Sequence, residues 1–492
     1  MPDNVYRFNG IDGRTGGYVL PSLTDRDLAR AARAQSRPPQ LQALLAAEEA
    51  DRRVDELGDL FARQTGTRFG GAPDGGWDLD HRGWGVVFAA SDARTAEIRE
   101  ALAPLLELRR AQATRLKERR YRELELRAGE SLWDFRARYH GDAGVFDPSA
   151  IPYFLLLIGG PEAIPFEFQT QLAVSHAAGR LDFPTAAEFA TYAEAVVAAE
   201  TRPMHRQRRV AFFAPEHPQE PLSKESADLL AAPLARWFGA YRKDWQVDVA
   251  LGDEATKAKL AGLLEGDASP AVLFTAGHGV AFASGDPRQA DDQGALLCSD
   301  WRGPSAHEIS AADYFAASDL SSSACLSGMI AFHFACCSLG VPERNELHLA
   351  GVPIPDRLAP RPLLARLPQR LLASPRGGAL AVLGHIDLVF ASSFKDAAHG
   401  PQIYEECLRR LLAGLPVGAA MEPFRQRYAQ LSVELKDMLT GEMQGGKVGD
   451  EQMARVWTSC HDAEYYAICG DPAVRLPESV TAPVTSAVKP AR

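Results

Sequence analysis

Two apolar segments decide the fold, "AVLFTAGHG" at Ala271–Gly279 and "MIAFHFACCSLG" at Met329–Gly340. Each contains an apolar run typical of a strand buried on both faces, and each ends on a reactive side chain, His278 in the first and Cys336 in the second. In α/β sheets, functional groups gather at the carboxyl ends of the strands. The two segments therefore predict neighbouring parallel strands that bring an imidazole and a thiol to one edge of a sheet.

This pair of side chains suits nucleophilic catalysis. A free thiol has a pKa of about 8.5 and is mostly protonated near neutral pH, whereas the thiolate is the nucleophile. A neighbouring imidazole can take the proton during attack and return it to the leaving group. The glycines on either side of His278 let the backbone turn sharply there. We expect the N–H groups of Gly279 and Cys336 to form an oxyanion hole.

Strand-like and helix-like segments alternate along most of the chain. "GWGVVFAAS" at Gly83–Ser91 and "IPYFLLLIGG" at Ile151–Gly160 are buried-strand runs, and helical patterns separate such runs from each other. The segment Phe166–Phe183 alternates in the manner of a half-buried hairpin. The alternation as a whole predicts an α/β fold with a mostly parallel central sheet.

Composition excludes several classes of protein. The chain has 492 residues, 46% of them hydrophobic, and a formal net charge of −11, which gives no reason to expect nucleic-acid binding. The basic run Arg109–Arg122 is typical of a solvated helical face. No signal peptide and no membrane-spanning segment is predicted, so we expect a cytoplasmic protein. The seven cysteines are irregularly spaced without a CxxC pair, which argues against a disulfide framework and a zinc site.

Several blocks resemble a known family. The two segments around His278 and Cys336 are similar to the catalytic blocks of caspase-like (clan CD) cysteine peptidases. Four further blocks resemble its gingipain (C25) and CHAT branches: "YFLLLIGGPEAIPFEFQ" from Tyr153, "AAGRLDFPTAAEFATYAEAVVAAE" from Ala177, "LLASPRGGALAVLGHID" from Leu371 and "ICGDPAVRLP" from Ile468. The resemblance covers roughly residues 83–477, with the order of the blocks preserved.

The resemblance implies a cysteine endopeptidase that hydrolyses peptide bonds in protein substrates. His278 would be the base and Cys336 the nucleophile of an acyl-enzyme mechanism that needs no cofactor. The implied fold is a caspase-like three-layer sandwich preceded by a smaller α/β subdomain. The predicted divisions are an N-terminal extension (1–75), a gingipain-like subdomain (76–205), a catalytic domain (206–477) and a disordered tail (478–492). By analogy, the protein would be a regulated bacterial stress or defence effector, acting on a protein encoded nearby.

Two assignments around the site stay open. An Ala-Cys-x-Ser pattern selects Cys336 as nucleophile, whereas a glycine three residues further on, Gly340, would select Cys337. We favour Cys336, with Cys337 in the pocket. His385 and Asp387 follow another apolar run and either line the pocket or are structural.

The long segment Val280–Leu326 between the catalytic blocks is either a lid or processing site, or a solvated surface loop. Two other functions are compatible with the pattern: an inactive caspase-like scaffold or binding protein, and a Cys/His amidase acting on a small molecule. The sequence does not indicate the residue after which a substrate is cut, a calcium requirement or an oligomeric state.

Overall fold

The computed structural model describes residues 4–8, 10–35, 76–139, 147–204, 206–266, 269–304, 308–345, 356–390, 392–395 and 400–481. In this part of the chain the strands are β1 Val5–Tyr6, β2 Gly10–Asp12, β3 Leu23–Thr24, β4 Trp84–Ala89, β5 Tyr121–Leu126, β6 Phe154–Ile158, β7 Ala177–Leu181, β8 Arg209–Ala214, β9 Gln246–Leu251, β10 Val272–Ala276, β11 Gly279–Ala281, β12 Ala295–Leu297, β13 Tyr314–Phe315, β14 Ile330–Phe334, β15 Gly340–Val341, β16 Leu363–Leu364, β17 Ala381–His385 and β18 Tyr466–Gly470.

The helices of the same residues are α1 Asp25–Gln35, α2 Leu79–Arg82, α3 Thr95–Ala101, α4 Ala103–Ala113, α5 Leu132–Arg138, α6 Phe166–Ala173, α7 Ala186–Thr201, α8 Pro221–Ser226, α9 Ala232–Tyr241, α10 Lys257–Leu264, α11 Gln289–Asp292, α12 Arg366–Leu372, α13 Ser392–Lys395, α14 Gln402–Leu412, α15 Val417–Ala420, α16 Glu422–Met443, α17 Asp450–Glu464 and α18 Glu478–Thr481. Polar side chains cap several of them. Thr185 and Thr256, for example, accept hydrogen bonds from backbone N–H groups in the first turns of α7 and α10.

A ten-stranded sheet forms the centre of the described fold, in the order β5-β4-β6-β7-β18-β17-β14-β10-β8-β9. Its neighbouring strands are parallel except at β17 and β18, which run antiparallel. The predicted α/β class with a mostly parallel central sheet is confirmed. The antiparallel seam means that the strands on its two sides point their carboxyl ends to opposite edges. The edge that bears on function is the one where β10, β14 and β17 end.

The sheet is buried on both faces in its first half. Along β6, Phe154, Leu156 and Ile158 belong to one apolar cluster, while Leu155 and Leu157 belong to another that includes residues of α5 and α6. Successive residues of a strand point to opposite faces, so the two clusters lie on opposite sides of the sheet. This is the layered arrangement expected of a caspase-like sandwich.

A buried ion-pair network lies next to the antiparallel seam. Asp471, directly after β18, accepts hydrogen bonds from Arg109 Nε at 2.6 Å and Trp84 Nε1 at 3.0 Å. The guanidinium of Arg109 also pairs with Glu200 at 2.7 Å. Arg109 is 1% exposed, so the prediction of a solvated basic face is wrong for this residue. Buried charges require such compensation, which explains the aspartate of the "GDP" block structurally.

Three other expectations differ from the structure. The segment Phe166–Phe183 is not a hairpin, because it forms helix α6 followed by strand β7. The segment Val280–Leu326 is not a plain surface loop, since it contributes to a second, four-stranded sheet of order β13-β12-β11-β2, in which β11 pairs with β2. The predicted disordered tail begins with helix α18, in which Val480 is buried, and its residues 482–492 lie outside the described part.

The described part of the predicted N-terminal extension packs against the body. Helix α1 contacts α17, and Arg33 forms ion pairs with Glu442 at 2.8 Å and Asp450 at 2.7 Å. No helix in the described ranges is long and apolar enough to cross a membrane.

Candidate active site

His278 and Cys336 lie level with each other at one edge of the central sheet. Strands β10 and β14 are parallel neighbours whose last residues, Ala276 and Phe334, stand opposite each other. His278 and Cys336 each follow two residues later. The backbones stay paired beyond the strands, because the Gly277 N–H donates to the Phe334 carbonyl at 3.0 Å. Neighbouring parallel strands lie about 4.8 Å apart, so the register brings the two segments within reach of one substrate.

Gly279 is in direct contact with the backbone of Cys336. A methyl group added at Gly279 would lie 1.9 Å from the Cys336 carbonyl oxygen and 3.2 Å from its nitrogen. No side chain fits at such a distance, so this close approach requires glycine. It also places the two backbones that we expect to form an oxyanion hole next to each other. In the described residues, the Cys336 N–H has no hydrogen-bond acceptor.

Gly279→Ala should therefore damage both stability and the site. We expect the free energy of unfolding to fall by about 1–3 kcal/mol, since the added methyl group must displace the Cys336 backbone. Urea denaturation measures this change. The matched control is Gly262→Ala in helix α10, where no atom lies within 4 Å of the added group and alanine favours the helix. Equal losses in the two variants would contradict the proposed contact.

The imidazole of His278 faces a buried carboxylate. Its Nε2 atom lies 2.6 Å from Oε2 of Glu220, and His278 and Glu220 are 1% and 3% exposed. The ring is not aligned for a straight hydrogen bond, and its Nδ1 atom has no hydrogen-bond partner in the described part of the chain. A buried carboxylate beside a histidine fixes the ring and stabilises its protonated form.

Glu220 is positioned by the start of helix α8. It is the N-cap residue, and its carboxylate accepts hydrogen bonds from the N–H groups of Leu222 at 3.0 Å and Ser223 at 2.7 Å. The Tyr18 hydroxyl donates to the same carboxylate. Burial alone would raise the pKa of Glu220, but His278 and these donors outweigh it and hold the pKa well below its usual range. Glu220 is therefore ionised at neutral pH.

Glu220 was not predicted from the sequence. The signal available was the dipeptide Glu220-Pro221, an acidic residue before a proline that opens a helix. This dipeptide follows strand β8, which lies beside β10 in the sheet. With β8 next to β10 in the sheet, the residues after β8 lie at the same edge as His278, so the strand order places a carboxylate there.

Cys336 is enclosed by the loop after β17 and by the N-terminal segment. Its Sγ atom accepts a hydrogen bond from the Val389 N–H at 3.0 Å. A methyl group added at Gly10 would lie 3.3 Å from the same sulfur. Cys336 is 0% exposed, and burial raises the pKa of its thiol well above the usual value. In this arrangement the thiol is neutral.

Cys337 has a different environment from Cys336. Its φ of 54° lies in the left-handed region, which is unfavourable for a residue with a side chain. Its N–H donates to the Asp387 carbonyl at 2.8 Å, so that group is engaged. Burial raises the pKa of its thiol as well, while the side chain of Gln293 acts in the opposite direction. Cys337 thus points toward Gln293, whereas the sulfur of Cys336 contacts Val389.

The other predicted pocket residues have anchoring contacts. His385 is buried, with Nδ1 3.1 Å from the Asp387 carbonyl and Nε2 3.0 Å from the Asp462 carbonyl. Burial lowers its pKa to about 4, so the ring is neutral at pH 7. The Asp387 carboxylate accepts the Leu388 N–H at 2.7 Å. These contacts fix residues 386–390, the loop that supplies Val389 to Cys336.

A second histidine, which the sequence did not predict, lies beside His278. The rings of His217 and His278 are stacked with centroids 6.2 Å apart, and His217 Nδ1 lies 3.0 Å from the Trp301 carbonyl. Burial, with the neighbouring His278, lowers the pKa of His217 to about 4. His217 is therefore neutral at pH 7 and adds no positive charge beside His278.

The structure brings the imidazole of His278 and the thiol of Cys336 to one edge of the sheet, but it shows no hydrogen bond between them. Neither sulfur forms a hydrogen bond to His278 among the described residues. No group of three or more His, Cys, Asp or Glu side chains in these residues is arranged to hold a metal ion. The site can therefore supply a thiol, a base with a carboxylate partner and backbone N–H groups.

Comparisons with known proteins give structural likenesses only. No family model matches the chain, and no curated protein does. A solved structure described as "Structure of Protease" is 14% identical, with a TM-score of 0.45, and the match covers 82% of this chain and 80% of that one. Two further matches are structures of gingipain R.

One is the complex of the pro- and mature domains of RgpB from Porphyromonas gingivalis, 12% identical, with a TM-score of 0.47 and 81% of both chains covered. The other is the Arg-specific cysteine proteinase gingipain R (RgpB), 11% identical, with a TM-score of 0.41, 81% of this chain covered and 78% of that one. These likenesses concern the fold alone. Gingipain-type peptidases, which the sequence blocks resemble, are thus among the structures with a similar fold.

Proposed function

We propose that this protein is a cysteine endopeptidase in which Cys336 is the nucleophile and His278 the general base. The single observation that supports it most is the placement of His278, with its buried Glu220 partner, level with Cys336 on adjacent parallel strands. A structural histidine needs no ionised carboxylate and no glycine pressed against a cysteine backbone. Both features suit a general base beside an oxyanion hole, because the carboxylate orients the imidazole and the close approach brings two backbone N–H groups together.

The first half of the reaction forms an acyl-enzyme. The Cys336 thiol transfers its proton to His278 Nδ1 while its sulfur bonds to the carbonyl carbon of the substrate. The oxygen, now negatively charged, accepts hydrogen bonds from the N–H groups of Gly279 and Cys336. The carbon–nitrogen bond then breaks, the proton on His278 passes to the leaving amine, and a thioester remains on Cys336.

The second half releases the product. His278 takes a proton from a water molecule, whose oxygen attacks the thioester carbon. The carbon–sulfur bond breaks, and the proton returns from His278 to the Cys336 sulfur. Glu220 contacts neither substrate nor reacting atoms in this scheme, so it is a positioning residue that orients the imidazole and stabilises its charged form.

The direct test is cleavage of proteins by the purified, reduced chain. Denatured proteins and a peptide library are incubated with it, and mass spectrometry identifies new termini. We expect peptide-bond hydrolysis that a peptidyl electrophile blocks, with one adduct on Cys336. Hydrolysis of small amides without any cut protein would favour the amidase alternative. If a folded Phe8→Asp variant forms no adduct on Cys336 and cuts no substrate, an inactive scaffold would be favoured.

The physiological role stays a prediction. A cytoplasmic bacterial effector of stress or defence, cutting a protein encoded nearby, would fit a peptidase with a closed site. Adding purified neighbouring gene products to the same cleavage assay tests this role.

A further inference from the structure

An N-terminal hairpin, residues 10–19, lies against the proposed active site. Its outgoing strand is β2, and the Ile11 backbone forms an antiparallel bridge with Tyr18 on the return strand. The Val19 N–H donates to the Gly10 carbonyl at 3.1 Å. The turn between the strands is held by Asp12, whose carboxylate accepts the N–H of Thr15 at 2.7 Å. The hairpin is thus a built structural unit, with Arg14 and Thr15 exposed at its tip.

The outgoing strand covers the thiol. Gly10 pairs with Gly279 in a parallel register, so β2 lies along the edge of β11, the strand that begins directly after His278. A methyl group at Gly10 would lie 3.3 Å from Cys336 Sγ and 3.2 Å from Leu388. The backbone of Gly10 therefore occupies space next to the sulfur that an attacked carbonyl group would need.

Phe8 anchors the same segment to the loop after β17. It is 0% exposed and forms an antiparallel bridge with Phe390, the last residue of the loop that holds Cys336 Sγ. The segment consequently has one backbone contact to β11 and another to the loop after β17. Extended peptides bind to proteins in this manner, by adding a strand to an exposed edge.

The two strands of the hairpin have different roles. The outgoing strand blocks Cys336, whereas Tyr18 on the return strand donates a hydrogen bond to Glu220. Removal of the outgoing strand alone would uncover the thiol and leave the Glu220–His278 pair supported.

We propose that the outgoing strand of this hairpin occupies, in cis, the edge of β11 where a substrate peptide would bind, and keeps the enzyme inactive until it leaves. The proposal rests on the proposed function for the claim that a peptide binds at this edge. The segment that occupies this edge belongs to the chain itself. Gly10 lies over the thiol, and Phe8 precedes it by two residues. An incoming substrate strand and residues 10–12 then compete for the same edge of β11.

Phe8→Asp in the full chain tests the proposal, because a carboxylate cannot stay buried against Phe390. Iodoacetamide modifies accessible thiols, and mass spectrometry gives the modification rate of each cysteine. We expect Cys336 to react about tenfold faster or more than in the parent chain, the factor expected from losing the burial of one aromatic side chain. Cys407, buried in the core at 1% exposed, reports whether the fold persists. Arg14→Ala, at the exposed tip, should react as the parent does.

A second full-length variant covers the case in which Phe8→Asp unfolds and Cys407 reacts too. It carries a recognition sequence for a site-specific protease between Arg14 and Thr15, so that a nick frees the outgoing strand while Tyr18 stays attached. The result is read in whichever of the two variants, Phe8→Asp or the nicked chain, stays folded. If iodoacetamide modifies Cys336 as slowly as Cys407 in that variant, the proposal is overturned. Faster Cys336 modification without peptide hydrolysis would support the hairpin's blocking role and contradict the peptidase function instead.

Discussion

Cys336→Ala is expected to abolish peptide hydrolysis, with a loss of kcat of at least about a thousandfold. Removal of a catalytic nucleophile elsewhere costs up to about a millionfold, because no other group can form the covalent intermediate. The change removes one sulfur from a buried site, so we expect the fold to persist. Initial rates on a peptide identified in the cleavage assay, measured with the hairpin opened, give the size of the loss.

Cys337→Ala is the matched control for that variant. The two thiols are adjacent and equally buried, but the Cys337 N–H is bound to the Asp387 carbonyl and cannot also stabilise an oxyanion. The control should keep most of the parental kcat and still form a peptidyl adduct on Cys336. The reverse pattern, an inactive Cys337→Ala beside an active Cys336→Ala, would move the nucleophile to Cys337 and reject our assignment.

The edge where the site lies could be predicted from sequence for a definite physical reason. Two apolar runs, each ending on a reactive residue, carry their own strand signal, and parallel strands place their ends together. The register of β10 and β14 then sets His278 level with Cys336. Only local patterns and one general rule of α/β sheets were needed for this part.

Glu220 and the hairpin escaped prediction because they depend on tertiary contacts without a local pattern. Glu220 reaches His278 only because β8, rather than another strand, lies next to β10. Gly10 reaches Cys336 across more than 300 residues of sequence, in a segment with turn signals and no period. Neither propensity nor periodicity carries information about such pairings.

The error at Phe166–Phe183 has a similar cause. The first residues of this segment alternate between apolar and polar, which favours a strand, yet Phe166, Phe168 and Leu172 are all buried in helix α6. Burial on several sides allows a helix to carry an alternating pattern over two turns. Packing against the sheet, rather than the period of the sequence, decides the structure there.

The second large effect expected is that of Glu220→Gln. The amide keeps the shape of the side chain but removes the negative charge beside His278 and changes its hydrogen-bonding pattern, so the imidazole loses the partner that favours its charged form. In serine peptidases the analogous change lowers kcat about ten-thousandfold, and we expect a loss of about a hundredfold to ten-thousandfold here. Because Glu220 acts through His278, kcat should fall while KM changes little.

The same variant should change how stability depends on pH. The pKa of Glu220 is held below its unfolded value of about 4.3, so the ionised carboxylate stabilises the fold above that value. This contribution is lost as the pH falls through the folded pKa, because the unfolded chain binds the proton first. Urea denaturation of the parent should show that loss below about pH 4.3, and Glu220→Gln should show a smaller loss, because other carboxylates with lowered pKa values, such as Glu200, remain. Glu216→Gln, the same change at a carboxylate paired with the exposed Lys224, should keep the parental kcat and pH dependence. A Glu220→Gln chain with parental kcat would remove the carboxylate from the mechanism and leave His278 to act with Cys336 alone.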